Sequence, residues 1–428
     1  MNKWKKLAAT GVTFAAVTLL AACGGGSKTE SKGSKTELNW YTPTEIITLD
    51  ISKNTDRYSA TAIGNSGSNL LRAGEAGKLN EDLAEKVDVS ADGLTYTATL
   101  RDGLKWSDGS DLTAEDFVYS WQRIADPKTA SEYAYLVSEA NVLNADEVIA
   151  GTKPVEELGV KADGNKVIFT LSAPAPQFMS LLSFSNFAPQ SKAFVEKVGD
   201  EYGTASDKQI YSGPFTVEDW NGTSGSFKLV KNENYWDAKN VKLETVNFET
   251  VKKPDTAVQM YKQGELDFAT ISDTPAIYNA NKKNEDVVPV KEATTAYIVY
   301  NQTGSVPALT NTKIRQALNL ATNREGVVEA AVNTGSVAAT GFAPSGLASL
   351  TDGTDLAEFV APGYKYDEAE AAKLFKEGLE EAGVSEVTLT VTADADRPAA
   401  KAAVDYLKET WEKALPGLKI EEKLVQID

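Results

Sequence analysis

The stretch DGLTYTATLRDGLKWSDGSDLTAEDFVYSWQR, residues 92–123, decides the fold of its part of the chain. Leu94, Tyr96, Ala98 and Leu100 alternate with Thr95, Thr97 and Thr99, the period of a half-buried strand. Asp92-Gly93, Asp102-Gly103 and Asp108-Gly109 read as turns around it, because glycine reaches positive φ without strain. Thr113 then opens a helix. Its side chain can cap, Asp116 answers three residues later, and Phe117, Val118, Trp121 and Ile124 share one apolar face. Trp106, Phe117 and Trp121 stand at the spacing of core packing, not of ligand contacts.

Outward from this stretch, strands and helices mix irregularly and no period repeats. Leu38–Tyr41 and Ile46–Leu49 are strand-like, and a Gly/Ser/Asn-rich run covers 64–69. Val167, Phe169 and Leu171 alternate as a strand that Pro174-Ala175-Pro176 must end. Tyr211-Ser212-Gly213-Pro214-Phe215 turns into another strand, 256–262 is helical, and Gly264-Glu265-Leu266-Asp267 is a turn leading to Phe268. The pattern then predicts a strand at Tyr297–Tyr300 and helices over 313–323, 367–382 (stopped by Gly383) and 399–415. It predicts strands over 387–392 and 418–427.

The first residues carry their own signal. Asn2, Lys3, Lys5 and Lys6 form a basic head, and Leu7–Ala22 is an uncharged, mostly apolar run ending in Leu20-Ala21-Ala22-Cys23-Gly24-Gly25-Gly26. The run is short for a transmembrane helix, which needs about 20 apolar residues, and it fits a secretory leader over 1–22. Its end resembles the bacterial lipobox, which implies that Cys23 is acylated with diacylglycerol and becomes the new N-terminus. Cys23 is the only cysteine, and an unpaired one in a secreted chain calls for a modification or a reactive role. Residues 23–37 are rich in Gly, Ser and Lys and read as a flexible tether. The expected location is the outer face of the cell membrane of a Gram-positive bacterium.

Composition excludes more than it selects. The chain of 428 residues has 43 basic and 61 acidic side chains, net −18; loss of Lys3, Lys5 and Lys6 with the leader takes −18 to −21. Such acidity argues against a nucleic-acid partner, whose affinity rests on Lys and Arg neutralising phosphates. Histidine is absent, which removes Ser-His-Asp triads and His-ligated metals. Gly77-Lys78 is followed by Leu79 and lacks the upstream glycine of a phosphate-binding loop. No cofactor is implied. Carboxylate pairs such as Glu115/Asp116 and Glu156/Glu157 leave a hydrolase open in principle, but a solvated acidic face explains them better.

Taken together, residues 92–123, Ala125-Asp126-Pro127-Lys128-Thr129-Ala130-Ser131, Gly213-Pro214-Phe215, Asn234-Tyr235-Trp236, Gly264-Glu265-Leu266-Asp267 and Lys313-Ile314-Arg315-Gln316-Ala317-Leu318 form an ordered series. The chain resembles, from Leu38 to its end, the oligopeptide- and dipeptide-binding branch of the extracellular solute-binding proteins of ATP-binding-cassette importers. The resemblance implies an α/β, two-lobed fold of the type II periplasmic-binding-protein kind with an extra domain on lobe one. The expected parts are lobe one over 38–69 and 189–291, the additional domain over 70–188, and lobe two over 292–428. It implies short peptides as ligand, the importer's permease and ATPase subunits as partners, and no catalysis.

The same resemblance places Tyr133, within Ser131-Glu132-Tyr133-Ala134, in the lining of the peptide site. It brings Arg57 and Tyr58 near the peptide backbone, although their types depart from the commonest family pattern, and aligns Arg397 loosely with a polar position near the ligand. Family chains run on past the point where this sequence stops, at Val425-Gln426-Ile427-Asp428. Their further segment carries an Asp that pairs with the peptide's α-amino group, so the C-terminal part is expected to be missing here and peptide binding to be weaker than in a full-length relative. A receptor for one signalling peptide is the alternative within the family. A metal- or haem-binding relative is disfavoured by the absent histidines.

Overall fold

In the computed structural model the described residues are 35–74, 78–272, 274–290, 292, 294–350, 352–360, 363, 365–395 and 397–425. The leader, Cys23 and most of the tether lie outside them.

Strand β1 (Glu37–Thr42) begins a four-stranded sheet that the chain completes much later. After helix α1 (Arg57–Ser66) come the hairpin β2 (Leu71–Ala73) and β3 (Leu79–Glu81), then β4 (Ala84–Val89) and β5 (Thr95–Leu100). Helix α2 (Ala114–Ala125) follows, then β6 (Val160–Asp163) and β7 (Lys166–Thr170). The chain next returns through β8 (Phe215–Glu218), β9 (Ser226–Lys231) and β10 (Thr245–Thr250). β10 pairs in parallel with β1 and antiparallel with β9, giving the order β1-β10-β9-β8. The register lines up Trp40, Phe248 and Phe227 on one face and Asn39, Asn247 and Lys228 on the other. The Phe227 and Phe248 rings stack 4.5 Å apart within a core that also holds Ile46, Leu49, Ile63 and Trp220.

The second sheet, β4-β5-β7-β6, is antiparallel throughout. Opposite residues Tyr96 and Phe169, and Ala98 and Val167, face α2, whose Phe117, Trp121 and Ile124 are fully buried. Trp121 packs its ring 4.3 Å from Phe187 and 4.9 Å from Phe169. Burial of each such side chain contributes about 2 kcal/mol. Asp116 accepts the Thr113 N–H at 2.8 Å, closing the start of α2, and the Trp106 indole N–H at 3.3 Å. The three aromatics read as core are core.

The third core gathers α3 (Thr312–Leu320), α4 (Glu368–Ala382) and α5 (Pro398–Ala414) on the parallel pair β11 (Val387–Asp394) and β12 (Leu418–Val425). Ile314, Ala317, Leu318, Ala371, Phe375 and Trp411 are its centre. Gly383 caps α4 at φ +68°, a left-handed position that glycine reaches without a Cβ penalty.

Two local expectations, at Ile46–Leu49 and Tyr297–Tyr300, fail. Ile46–Leu49 is buried but forms no strand, because its amides bond singly: Leu49 N–H to the Gly203 carbonyl at 2.8 Å and Ile47 N–H to Ser59 Oγ at 2.9 Å. The Gly/Ser/Asn-rich run is helical through Ser66, since Asp56 accepts the amides of Tyr58 and Ser59 and starts α1. Tyr297–Tyr300 joins no sheet among the described residues. Tyr297 and Val299 are 64% and 78% exposed, and a short apolar run without a neighbouring ladder has nothing to hold it extended.

Candidate functional site

Between β1 and α1 the chain crosses the interior as a loop, Leu49–Asp56, with Leu49, Asp50, Ile51, Ser52 and Asn54 all buried. A buried loop must find partners for its peptide groups, and here side chains from distant segments supply them. Gln209 Nε2 donates to the Leu49 carbonyl at 3.0 Å, and Asn186 Nδ2 donates to the carbonyls of Ile51 and Asn54 at 2.8 and 2.9 Å. The Asp50 carbonyl accepts from the amides of Lys53 and Asn54, and Asp50 Oδ1 accepts the Ser52 N–H at 3.0 Å. Gly203, at φ +73°, lies so close that a Cβ there would fall 2.2 Å from the Asp50 nitrogen.

The side chain of Asp50 is the loop's only charge that meets a buried cation. Arg123, from the last turn of α2, donates NH1 to Oδ1 and NH2 to Oδ2, each at 2.7 Å. The same NH1 reaches Gln190 Oε1 at 2.8 Å, and Gln190 Nε2 donates to Ser52 Oγ and Ser120 Oγ. Burial works against the guanidinium's charge, but the hydrogen bonds and charge of Asp50 outweigh it and hold Arg123 above its ordinary pKa. Tyr202, under the guanidinium at 5.1 Å, has its hydroxyl pushed well up by burial and then by the Asp50 charge. Toward the loop's end, Asn54 Oδ1 and Asp56 Oδ2 are buried acceptors with no donor among the described residues.

A second ionic node lies at Asp82, which is 3% exposed. Its Oδ1 accepts from the Tyr235 hydroxyl and the Trp236 indole N–H, both at 2.9 Å, and its Oδ2 from Arg72 Nε at 3.0 Å. Arg101 lies 3.9 Å over the Trp236 ring. Burial first, and then the Asp82 charge, push Tyr235 up to about 12. The Asp82 node fastens the start of the second sheet to the segment between β9 and β10, and Arg123 joins α2 to the loop's Asp50.

The sequence-predicted residues sit as follows. Arg57 and Tyr58 come together as the first residues of α1, directly after the buried loop. Arg57 is 69% exposed, 3.7 Å from Glu292 and over the Tyr58 ring, while Tyr58 packs partly on the first core. Tyr133 is half-buried against the second core, edge-on to Phe184 at 5.5 Å and stacked on Tyr135 at 6.4 Å. Arg397 stands just before α5, exposed, with Nε 3.2 Å from Asp394. Tyr133 and Arg397 each stand in their own surroundings. Cys23 falls outside the described residues.

Sequence reasoning missed Asp50, Arg123 and Gln190. The available signal was Ser120 and Arg123 flanking Trp121 on an otherwise apolar helix face. It also missed the junction after Leu266, where the Asp267 amide donates to the Asn39 carbonyl at 2.9 Å and Phe268 stacks flat on Trp40 at 4.2 Å. Beside that junction lies an open recess of about 560 Å³, lined by Asn39, Trp40, Lys228, Asn247, Glu249 and Glu265. Among the described residues no group of His, Cys, Asp and Glu could hold a metal, and no helix is long and apolar enough to cross a membrane.

This mixed α/β arrangement is the two-lobed fold of the substrate-binding proteins. The chain matches Listeria monocytogenes OppA bound to peptide with a TM-score of 0.81 at 32% identity, covering 92% of this chain and 77% of that one. The pheromone receptor PrgZ, solved for its mode of peptide binding, matches at 0.80 and 29% identity, covering 92% of this chain and 77% of that one. The chain belongs to the bacterial extracellular solute-binding proteins, family 5, whose middle-region description matches residues 78–427. The dipeptide-binding protein of Lactococcus lactis subsp. cremoris is 43% identical over 418 residues, 95% of this chain and 74% of that protein. The oligopeptide-binding protein OppA of Bacillus subtilis is 30% identical over 419 residues, 94% of this chain and 74% of that protein.

Proposed function

We propose that this protein captures short peptides outside the cytoplasm and delivers them to the permease and ATPase subunits of an ATP-binding-cassette importer, without chemical change. The observation that carries the reading is the fold match to a peptide-bound structure over 92% of the chain, joined to 43% identity with a dipeptide-binding protein. An extended peptide can bond its main chain as an added strand would, while hydrated pockets accept varied side chains. Closure of one lobe on the other turns that binding into a shape the permease can recognise.

The three cores support residues 38–69 and 189–291 as lobe one, 70–188 as the additional domain and 292–428 as lobe two. Arg57, Tyr58, Tyr133 and Arg397 are proposed to line the ligand, and Cys23 to carry the diacylglyceryl anchor that holds the protein to the outer membrane face. Two acyl chains anchor firmly where one does not, at about 0.8 kcal/mol per buried methylene. The non-enzymatic reading is supported by Asp116, one half of a candidate carboxylate pair, being spent on Thr113 and Trp106.

A signalling-peptide receptor is the second reading, favoured by the likeness to PrgZ. Calorimetric titration with a mixed pool of tri- to octapeptides, followed by competition with single hydrophobic peptides, tests both. Displacement by many unrelated sequences supports uptake; displacement by one alone supports signalling; heat from neither refutes peptide binding. A Cys23→Ala variant that still partitions with membranes would count against the anchor.

A further inference from the structure

We propose that Arg123, a residue of the additional domain, is a positioning residue for the ligand-facing segment Leu49–Tyr58 of lobe one. Arg123 then governs peptide affinity without itself touching the peptide. The inference rests on the peptide-binding reading above.

The loop has no regular structure of its own, and its shape is set by what holds it. Asp50 is its pivot: the carboxylate takes Arg123 on both oxygens and the Ser52 amide on one of them, while its carbonyl closes the turn to Lys53 and Asn54. Two residues further, Asp56 starts α1, and the first residues of that helix are Arg57 and Tyr58. Asn186 holds the carbonyls of Ile51 and Asn54, and Asp50 sets the turn that leads into them. A planar guanidinium bound through both nitrogens fixes direction as well as distance, which a lysine cannot. Gln190 extends the same grip to Ser52, holding the loop at a second point.

A plain fastening role is a poorer explanation. The two regions are already joined by Asp82 with Tyr235 and Trp236, and by Ser107, whose amide donates to the Tyr211 carbonyl at 2.9 Å. A buried ion pair is an inefficient fastener, since apolar residues of like volume commonly hold as well or better. What the pair supplies is geometry, and the segment it fixes ends near Asn54 Oδ1 and Asp56 Oδ2, buried acceptors with no donor among the described residues, beside the exposed Arg57.

The test compares Arg123→Lys and Arg123→Met with Asp82→Asn, which weakens the other joint. Amide hydrogen exchange is read over 49–58 and over β5 and β7, and retention of a tri- to octapeptide pool is read by native mass spectrometry. Both Arg123 variants should raise exchange over 49–58 and weaken retention about tenfold each, the scale of one charge-assisted hydrogen bond, with β5 and β7 unchanged. Asp82→Asn should leave 49–58 as in the parent. Unchanged exchange over 49–58 in either Arg123 variant overturns the proposal, as does a loosened loop with undiminished retention. A parent protein that retains no peptide sinks the functional reading and the claim about affinity, while exchange over 49–58 still decides whether Arg123 sets the loop.

Discussion

Replacing Asp82 by alanine removes one buried carboxylate and strands three donors. The Tyr235 hydroxyl and the Trp236 indole each lose a bond of 2.9 Å, and Arg72 loses its Nε contact at 3.0 Å and its NH2 contact at 2.9 Å. Arg72 and Trp236, 41% and 38% exposed, recover part of their loss in water; the half-buried Tyr235 recovers less. One bond from the half-buried Tyr235 to a charged acceptor at about 1.5 kcal/mol, plus smaller remainders from Trp236 and Arg72, puts the cost near 2–3 kcal/mol. Asp82→Asn keeps an oxygen for Tyr235 and Trp236 but turns an amide toward Arg72, so it should cost about half as much. Trp236→Phe removes a single donor, at about 1 kcal/mol in the parent and nearly nothing in the Asp82→Ala background. Urea unfolding followed by tryptophan fluorescence measures all four. An Asp82→Ala cost below about 1 kcal/mol, or an additive cycle with Trp236→Phe, would refute this account of the joint.

Trp121 should tolerate phenylalanine far better than alanine. The alanine cavity beside Phe169 and Phe187 costs about 4 kcal/mol, whereas phenylalanine keeps most of the packing and removes an indole N–H that has no acceptor among the described residues, so thermal unfolding should show under about 2 kcal/mol. Gly213→Ala should be severe, because the new Cβ would stand 2.7 Å from the backbone of Gly67 and Ser66; soluble yield and melting temperature should both fall. Gly264→Ala, left-handed at φ +78° but with nothing within 4 Å, should cost only about 1–2 kcal/mol in the same melts.

Where the deciding interactions are local, the residues announce the structure. The helix from Thr113, its acidic partner at Asp116, the alternation around Tyr96 and the cap at Gly383 all depend on neighbours within a few positions, and each lies where the pattern puts it. Trp106, Phe117 and Trp121 could be read as core for the same reason. Asn234-Tyr235-Trp236 stands out as a motif, but its purpose depends on Asp82, more than 150 positions away. Asp50 and Arg123 are 73 positions apart and belong to different sheets' surroundings, so no periodicity could join them. Tyr297–Tyr300 shows the converse: its β-branched and aromatic run is that of a strand, yet a strand exists only where a partner supplies its ladder. Arg57 and Tyr58 were named through the family resemblance, while the buried loop before them, held by Asn186, Gln190 and Gln209, left no local signal.

The central claim is that the chain holds short peptides of varied sequence and returns them intact. Native mass spectrometry of the protein incubated with a defined tri- to octapeptide pool tests it most directly. One peptide per protein, several sequences represented, and released masses equal to those added is the predicted result. A bare protein at every pool concentration, or new peptide fragments in the released fraction, would contradict it.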